Sequence, residues 1–261
     1  MKIGIIGGTG LEKIDGFRFI SEIKFDTKYG LPSDSYKEFE TEGNSFFFLS
    51  RHGKNHQFPP HLINYRANIE GFRMIGVDFI VAFAAVGGIN KTLKPGDFLI
   101  PDDLVDFTNG RETSFSEVGD VFHIDFTEPF CISVRNELIK IMGNMDISFY
   151  SRGVYVCTNG PRLESAAEIK MFDRMGFDVV GMTLSPEAAL AREAGICYAA
   201  VNVVSNFAAG TTKNLLTTEE VVSAVKSSEG NILKIIKSLS TIKEKDKNCK
   251  CGESIKYARF K

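Results

Sequence analysis

The sequence predicts an α/β fold: a single domain with a central mixed β-sheet flanked by helices. Short apolar runs alternate along the chain with segments of helical spacing, as βα units do. The run at 79–85 (Phe-Ile-Val-Ala-Phe-Ala-Ala) is apolar without interruption, as a strand covered on both faces must be, and 178–182 and 198–204 read the same way. No linker, repeat or low-complexity segment interrupts the pattern before the Lys-Glu-Lys-Asp-Lys run at 243–247. The domain is therefore placed at residues 1–240, followed by a charged tail at 241–261 that carries Cys249-Lys250-Cys251.

Taken in order, residues 2–6 and 45–49 read as strands, and 64–75 as the first helix. The strand at 79–85 ends in Gly87-Gly88. Helical spacing returns at 132–142, 165–175 and 186–194, with the strands at 178–182 and 198–204 between and after. Thr217-Thr218-Glu219-Glu220 opens the last helix, which runs to about residue 239. Hydroxyls there can accept from the free N–H groups of the first turn, and the acids suit its positive end.

Composition narrows the function classes. Among 261 residues, 43% are apolar and 25% charged, and the net charge is −2, so the basic footprint of a nucleic-acid binder is missing. No apolar run approaches the ~18 residues that span a bilayer. The opening Met1-Lys2-Ile3-Gly4-Ile5-Ile6 is too short for a secretory apolar region and runs into glycines. A cytoplasmic protein without nucleic-acid or membrane partners is expected. Its five cysteines are then read as mostly buried, reduced thiols. Cys249 and Cys251 alone are too few for a structural zinc site; free thiols, a redox pair or a disulfide stay open.

Several motifs carry chemistry. Gly7-Gly8-Thr9-Gly10 follows the first strand, where glycine N–H groups can converge on an anion and the threonine hydroxyl adds a donor. A dinucleotide site would need a long helix next and an acid about 20 residues on. Here Gly16 allows barely two turns. Arg51-His52-Gly53 follows the second strand, and a guanidinium fork plus an imidazole N–H suits phosphate. His56 and His61 lie nearby, but Gly53, Pro59 and Pro60 make this a loop rather than a metal-binding helix. Thr9, Ala84, Thr183 and Asn206 all fall at carboxyl ends of strands, where open α/β sheets bind ligands. His123 lies in the aromatic stretch Phe122-His123-Ile124-Asp125-Phe126, which either packs locally or reaches a partner subunit.

The most specific pair is Glu164, in Gly160-Pro161-Arg162-Leu163-Glu164-Ser165, with Asn206, in Ser205-Asn206-Phe207-Ala208. A carboxylate accepts hydrogen bonds, and an amide both donates and accepts. Together they suit a purine with a ring N–H and a carbonyl at position 6, and not adenine. The alternative for Glu164 is a dipole contact at the start of the helix that follows.

On these residues the chain resembles the trimeric purine nucleoside and 5′-methylthioadenosine phosphorylases. The likeness runs from residue 2 to 239 and includes Gly7-Gly8-Thr9-Gly10, Arg51-His52-Gly53, Pro95-Gly96-Asp97, Gly160-Pro161-Arg162, Met182-Thr183 and Pro186-Glu187. It implies the nucleoside phosphorylase type of fold and reversible phosphorolysis of a purine nucleoside to free base and ribose 1-phosphate. Inorganic phosphate is the implied cosubstrate, with no metal or organic cofactor, and the implied assembly is a homotrimer or dimer of trimers. By position, Thr9, Arg51, His52, Ala84, Ala85 and Thr183 would surround phosphate. Met182 would pack under the ribose, and Glu164, Asn206, Phe207, Ala208 and His123 would meet the nucleoside. The implied catalytic set is Asn206, Glu164 and His52. The family often has a hydroxyl residue where Ala84 stands, so only its backbone amide could serve there.

The methylthioadenosine branch carries an acidic pair after the fifth strand and a small hydroxyl residue in place of Glu164. Glutamate and asparagine at these two places resemble the 6-oxopurine enzymes, and a methylthioinosine phosphorylase reconciles both likenesses. A methylthioadenosine phosphorylase, an inosine/guanosine phosphorylase, a dinucleotide-binding protein and an inactive homologue remain as rivals.

Overall fold

A computed structural model of the chain describes residues 1–7, 16–212, 215–243 and 248–259. The strands are β1 (Lys2–Gly7), β2 (Arg18–Ile23), β3 (Tyr36–Thr41), β4 (Asn44–Ser50), β5 (Phe79–Gly88), β6 (Phe98–Leu99), β7 (Asp103–Asp106), β8 (Phe149–Tyr150), β9 (Val154–Cys157), β10 (Val179–Gly181) and β11 (Cys197–Phe207). The helices are α1 (Tyr65–Ile75), α2 (Ile132–Gly143), α3 (Ala166–Arg174), α4 (Leu184–Glu193) and α5 (Thr218–Ser238). One mixed sheet joins the strands in the order β2-β3-β4-β1-β5-β10-β9-β7, and β11 leaves that path to pair with β5 and β6.

β5 is the hub. It runs parallel to β1 and to β11, and its last two residues pair antiparallel with β10. Those two residues are Gly87 and Gly88, and a Cβ on either would come within 3.2 Å of Val180 or Val204. Small residues are needed where three strands meet. The sheet opens into two branches beyond this point, and a cleft forms between them.

Both faces are covered, which explains the unbroken apolar runs. Ile80 and Ala82 of β5 and Tyr198 and Ala200 of β11 face one core with Phe72 of α1 and Leu190 of α4. Phe79, Val81 and Phe83, with Ala199 and Val201, face the other with Leu138 of α2 and Ile235 of α5. The strands and helices expected from the sequence are present with ends shifted by up to three residues. The hairpin strands β2 and β3 and the short strands β6–β9 are not predicted by the sequence pattern. β2 is mostly exposed at the sheet edge and carries no continuous apolar run.

The tail also departs from expectation. The run at 244–247 lies outside the described residues. Beyond it the chain returns to the core: Cys251 is buried, Cys249 is half-buried, and Arg259 bridges to Phe122. Among the described residues no helix is long and apolar enough to cross a membrane.

Candidate active site

A cavity of about 220 Å³ lies where β5, β10 and β11 diverge. Arg51, His52, Ala84, Ala85 and Thr183 line one part of it, and Glu164, Asn206 and Ala208 line it too, with Met182. Nine of the twelve site residues expected from the sequence line it; Thr9 lies outside the described residues, as do Gly8 and Gly10.

Arg51 extends the β1–β4 ladder by one bond, its N–H donating to Gly7 O at 3.0 Å. Its side chain is buried. Nε and Nη2 donate to the Glu187 carboxylate at 2.5 and 3.0 Å, and Nη1 donates to Phe83 O at 2.8 Å. Tyr198 donates to the same carboxylate at 2.7 Å. Burial works against the guanidinium charge, but Glu187 beside it prevails and raises the pKa above its ordinary value. Of the five N–H donors of the guanidinium, three are spent on these partners. The fork is thereby fixed, with donors remaining for a bound anion.

His52 differs from the donor expected of it. Its Nδ1 lies 2.8 Å from Phe58 O, an acceptor, so Nδ1 carries the proton. Burial lowers the ring's pKa to about 4. At neutral pH Nε2 is therefore an acceptor, suited to the O–H of hydrogen phosphate rather than to a bare phosphate oxygen. His56 stacks on the ring at 4.3 Å. Thr183 is buried at the N-cap of α4, where its N–H donates to Tyr155 OH at 3.2 Å.

Glu164 and Asn206, far apart in sequence, line the same cavity. Asn206 follows a β-bulge in β11, where its register against β5 shifts between Val204 and Asn206. Bulges re-aim side chains next to binding sites. Ser205 Oγ donates to Asn206 Oδ1 at 2.7 Å, and Asn206 Nδ2 donates to Phe207 O at 2.9 Å. The amide is thereby oriented, with its second N–H left over for a ligand. Glu164 accepts from Thr158 Oγ1 through Oε1 at 2.6 Å, leaving Oε2. Capping of α3 falls to Ser165 and Glu168, which form a reciprocal capping box, so the helix start does not require Glu164.

Met182 is held through its backbone. Arg111 donates to Met182 O and to Asn159 O, both at 2.6 Å, and to Tyr65 OH at 3.2 Å. Gly160 has φ +59°, and a Cβ there would lie 2.4 Å from Met182 Sδ, so only glycine lets the two loops approach.

Two expected residues stand apart. Phe207 only anchors Asn206 through its carbonyl and does not line the cavity. His123 is exposed, its backbone N–H donates to Ala258 O at 3.0 Å, and it does not line the cavity of its own chain. Leu216 and Val221 do line it. Arg111, Thr158 and Tyr65 have no signature in the sequence, because each acts through a contact distant in the chain and leaves no local spacing signal. Glu187 sits in the legible Pro186-Glu187 pair, but its partner Arg51 becomes apparent only in the fold.

Residues 2–241 match the phosphorylase superfamily. The chain is 44% identical over 261 residues to a probable S-methyl-5′-thioinosine phosphorylase of Thermodesulfovibrio yellowstonii, covering 100% of this chain and 98% of that protein. It is 41% identical to a 6-oxopurine nucleoside phosphorylase of Pyrococcus furiosus, over 98% of each. Among solved structures, a methylthioadenosine phosphorylase from an antarctic soil metagenomic library superposes with a TM-score of 0.93 at 33% identity, over 99% of this chain and 92% of that one.

Proposed function

The chain belongs to the phosphorylase superfamily, and on that premise we propose that it cleaves a 6-oxopurine nucleoside with phosphate, S-methyl-5′-thioinosine foremost and inosine or guanosine besides. The products are the free base and a (methylthio)ribose 1-phosphate. The observation that carries this reading is the convergence of Glu164 and Asn206 on one cavity. The Glu164 oxygen left over from Thr158 can accept the N1–H of a 6-oxopurine. Adenine has no such proton and would leave the carboxylate facing a ring nitrogen lone pair. The Asn206 N–H left over from Phe207 can donate to N7 or O6.

In the reaction the C1′–N9 bond breaks with its electron pair passing to the base, and a phosphate oxygen forms the new bond to C1′. The sugar passes through an oxocarbenium-like state, and the leaving purine gains negative charge on its imidazole ring and O6. An Asn206 donor is worth more to that anion than to the neutral base, and such a difference raises the rate. Phosphate is met by the donors left on Arg51, with His52 Nε2 as acceptor for its O–H and with Ala84, Ala85 and Thr183 around it. Phosphate thus serves as cosubstrate, without a metal or organic cofactor in the transfer. Met182, Leu216 and Val221 also line the cavity and offer apolar contact to a methylthio group. A cytoplasmic homotrimer or dimer of trimers completes the proposal.

The test is product formation from methylthioinosine, inosine, guanosine and methylthioadenosine, each with and without phosphate. Phosphate-dependent release of hypoxanthine, with kcat/KM highest for methylthioinosine, is expected. Equal or faster cleavage of methylthioadenosine would overturn the base assignment and favour the methylthioadenosine reading.

A further inference from the structure

Far from the nucleoside cavity, the fold gathers four of the five cysteines. The Sγ atoms of Cys131, Cys197, Cys249 and Cys251 all lie within 4.8 Å of one another, and Cys197 and Cys249 are 3.4 Å apart. Cys131 is the N-cap of α2, and Cys197 is the first residue of β11. The Cys131 N–H donates to Tyr198 O at 2.7 Å, which fixes these two on the rigid core. Cys249 and Cys251 come from the tail, with Lys250 between them turned to solvent. Three of the four side chains are buried and Cys249 is half-buried.

We infer that these four cysteines form a structural tetrathiolate site for a zinc ion, which clamps the C-terminal tail to the core. A tetrahedral zinc with bonds of about 2.3 Å sets its sulfurs roughly 3.8 Å apart. The observed cluster brackets that spacing, so closing on the ion requires only small side-chain adjustments. Disulfides need sulfurs at about 2.05 Å in separate pairs, whereas each sulfur here neighbours the other three. Binding balances simply. Four thiols release four protons and the divalent ion enters, with no oxidant or reductant required. The site then carries two negative charges, opposed locally by the ammonium of Lys250.

The clamp would govern more than its own ligands. Next to it, the Asn248 N–H donates to Ser133 Oγ at 2.8 Å, Gly252 packs against Gly195, and Ser254 donates to Arg192 O. Further along, Ala258 accepts from His123 N–H and Arg259 bridges to Phe122. A metal at the cysteines therefore holds the whole 248–259 segment, and through it the loop that bears His123.

Cys157 is the internal control: it is buried elsewhere, and burial pushes its thiol up to about 12. The full-length protein, expressed with zinc and purified under reducing conditions without chelators, should contain about one zinc per chain by plasma mass spectrometry. Cys157→Ser should keep it, and the Cys249→Ser/Cys251→Ser double variant should lose it at least tenfold. Exchange into cobalt should give the intense visible absorption of a tetrahedral thiolate complex, and chelation should open residues 248–259 to limited proteolysis. These last two measurements use the unaltered chain, so they do not depend on the variant folding. The inference is overturned if the reduced protein takes up no zinc on anaerobic reconstitution. An intact mass short by four hydrogens, meaning two disulfides, overturns it too, as does undiminished zinc in the double variant.

Discussion

Glu164 and Ser165 are chain neighbours with separate tasks, and the separation makes the base assignment testable. Because Ser165 and Glu168 cap α3 on their own, Glu164→Gln should leave the melting temperature nearly unchanged. It should lower kcat/KM for methylthioinosine by roughly 10- to 150-fold, the loss of about 1.5–3 kcal/mol typical of a hydrogen bond to a charged group. Methylthioadenosine should be hurt less or helped. A fall in stability with unchanged substrate ratios would place the carboxylate in a structural role instead. Asn206→Asp should move preference toward 6-amino nucleosides, since a site built around one polar pattern rejects its analogue strongly. Equal changes for both nucleoside types would defeat that expectation. Both residues were legible in the sequence because carboxylate and amide state their chemistry wherever they stand. The orientation of Asn206 was not, since a bulge and the Ser205 hydroxyl set it. His52 was legible as an anion-loop residue but not as an acceptor, because its tautomer depends on the carbonyl of Phe58. That tautomer has a pH signature. The folded pKa of about 4 lies below the ordinary 6.5, so the unfolded chain takes the proton first. The contribution of neutral His52 to stability is full above about pH 6.5 and is lost as pH falls toward 4. The melting-temperature advantage of the wild type over His52→Asn should shrink across that window; a gap constant with pH would show that the ring is not held neutral.

At the scale of elements, the phosphate end depends on a buried relay from β11 through α4 to the loop after β4: Tyr198 to Glu187 to Arg51. Removing one partner of a buried ion pair costs about 3–5 kcal/mol because the other charge is left uncompensated. Arg51→Ala would therefore report on folding as much as on phosphate. Tyr198→Phe is the cleaner probe: it deletes one hydrogen bond to Glu187 and keeps the ring in the core. The expected result is a loss of about 1.5–3 kcal/mol in stability, as for a hydrogen bond to a charged group, with a raised KM for phosphate. The KM for nucleoside should change little. If the phosphate KM holds while stability falls, the relay supports the fold without positioning Arg51. The central strands behind this relay were readable from sequence because burial on both faces demands unbroken apolar runs, as at Phe79–Gly88. The two-residue strands β6 and β8 were not readable, since a segment that short has no period. β6 exists because β11 and the 148–150 segment pair with it, and β8 because β6 does.

For the whole molecule, the aromatic loop calls for a different argument than its composition invites. The side chain of Phe122 is buried in its own chain, with Arg259 over its ring at 5.6 Å, so of the two readings the sequence leaves open this ring takes local packing. The apolar groups turned to solvent in this region are Val118 and Val121, at 106% and 47% exposure. Val118 lies within the tight Glu117–Asp120 bridge and Val121 directly after it, close in sequence to His123, which does not line the cavity of its own chain. An exposed apolar pair next to a histidine without a place in its own site is the arrangement expected at a subunit contact. If the proposed homotrimer or dimer of trimers uses this face, the Val118→Lys/Val121→Lys double substitution should shift the species seen by sedimentation toward monomer. Those side chains leave the cores untouched, so the fold and its circular dichroism should persist. Activity should fall with assembly and recover at high protein concentration, which a merely damaged site would not do. Unchanged sedimentation of the double variant would move the contact to another face, and a wild-type chain fully active as a monomer would remove the need for one.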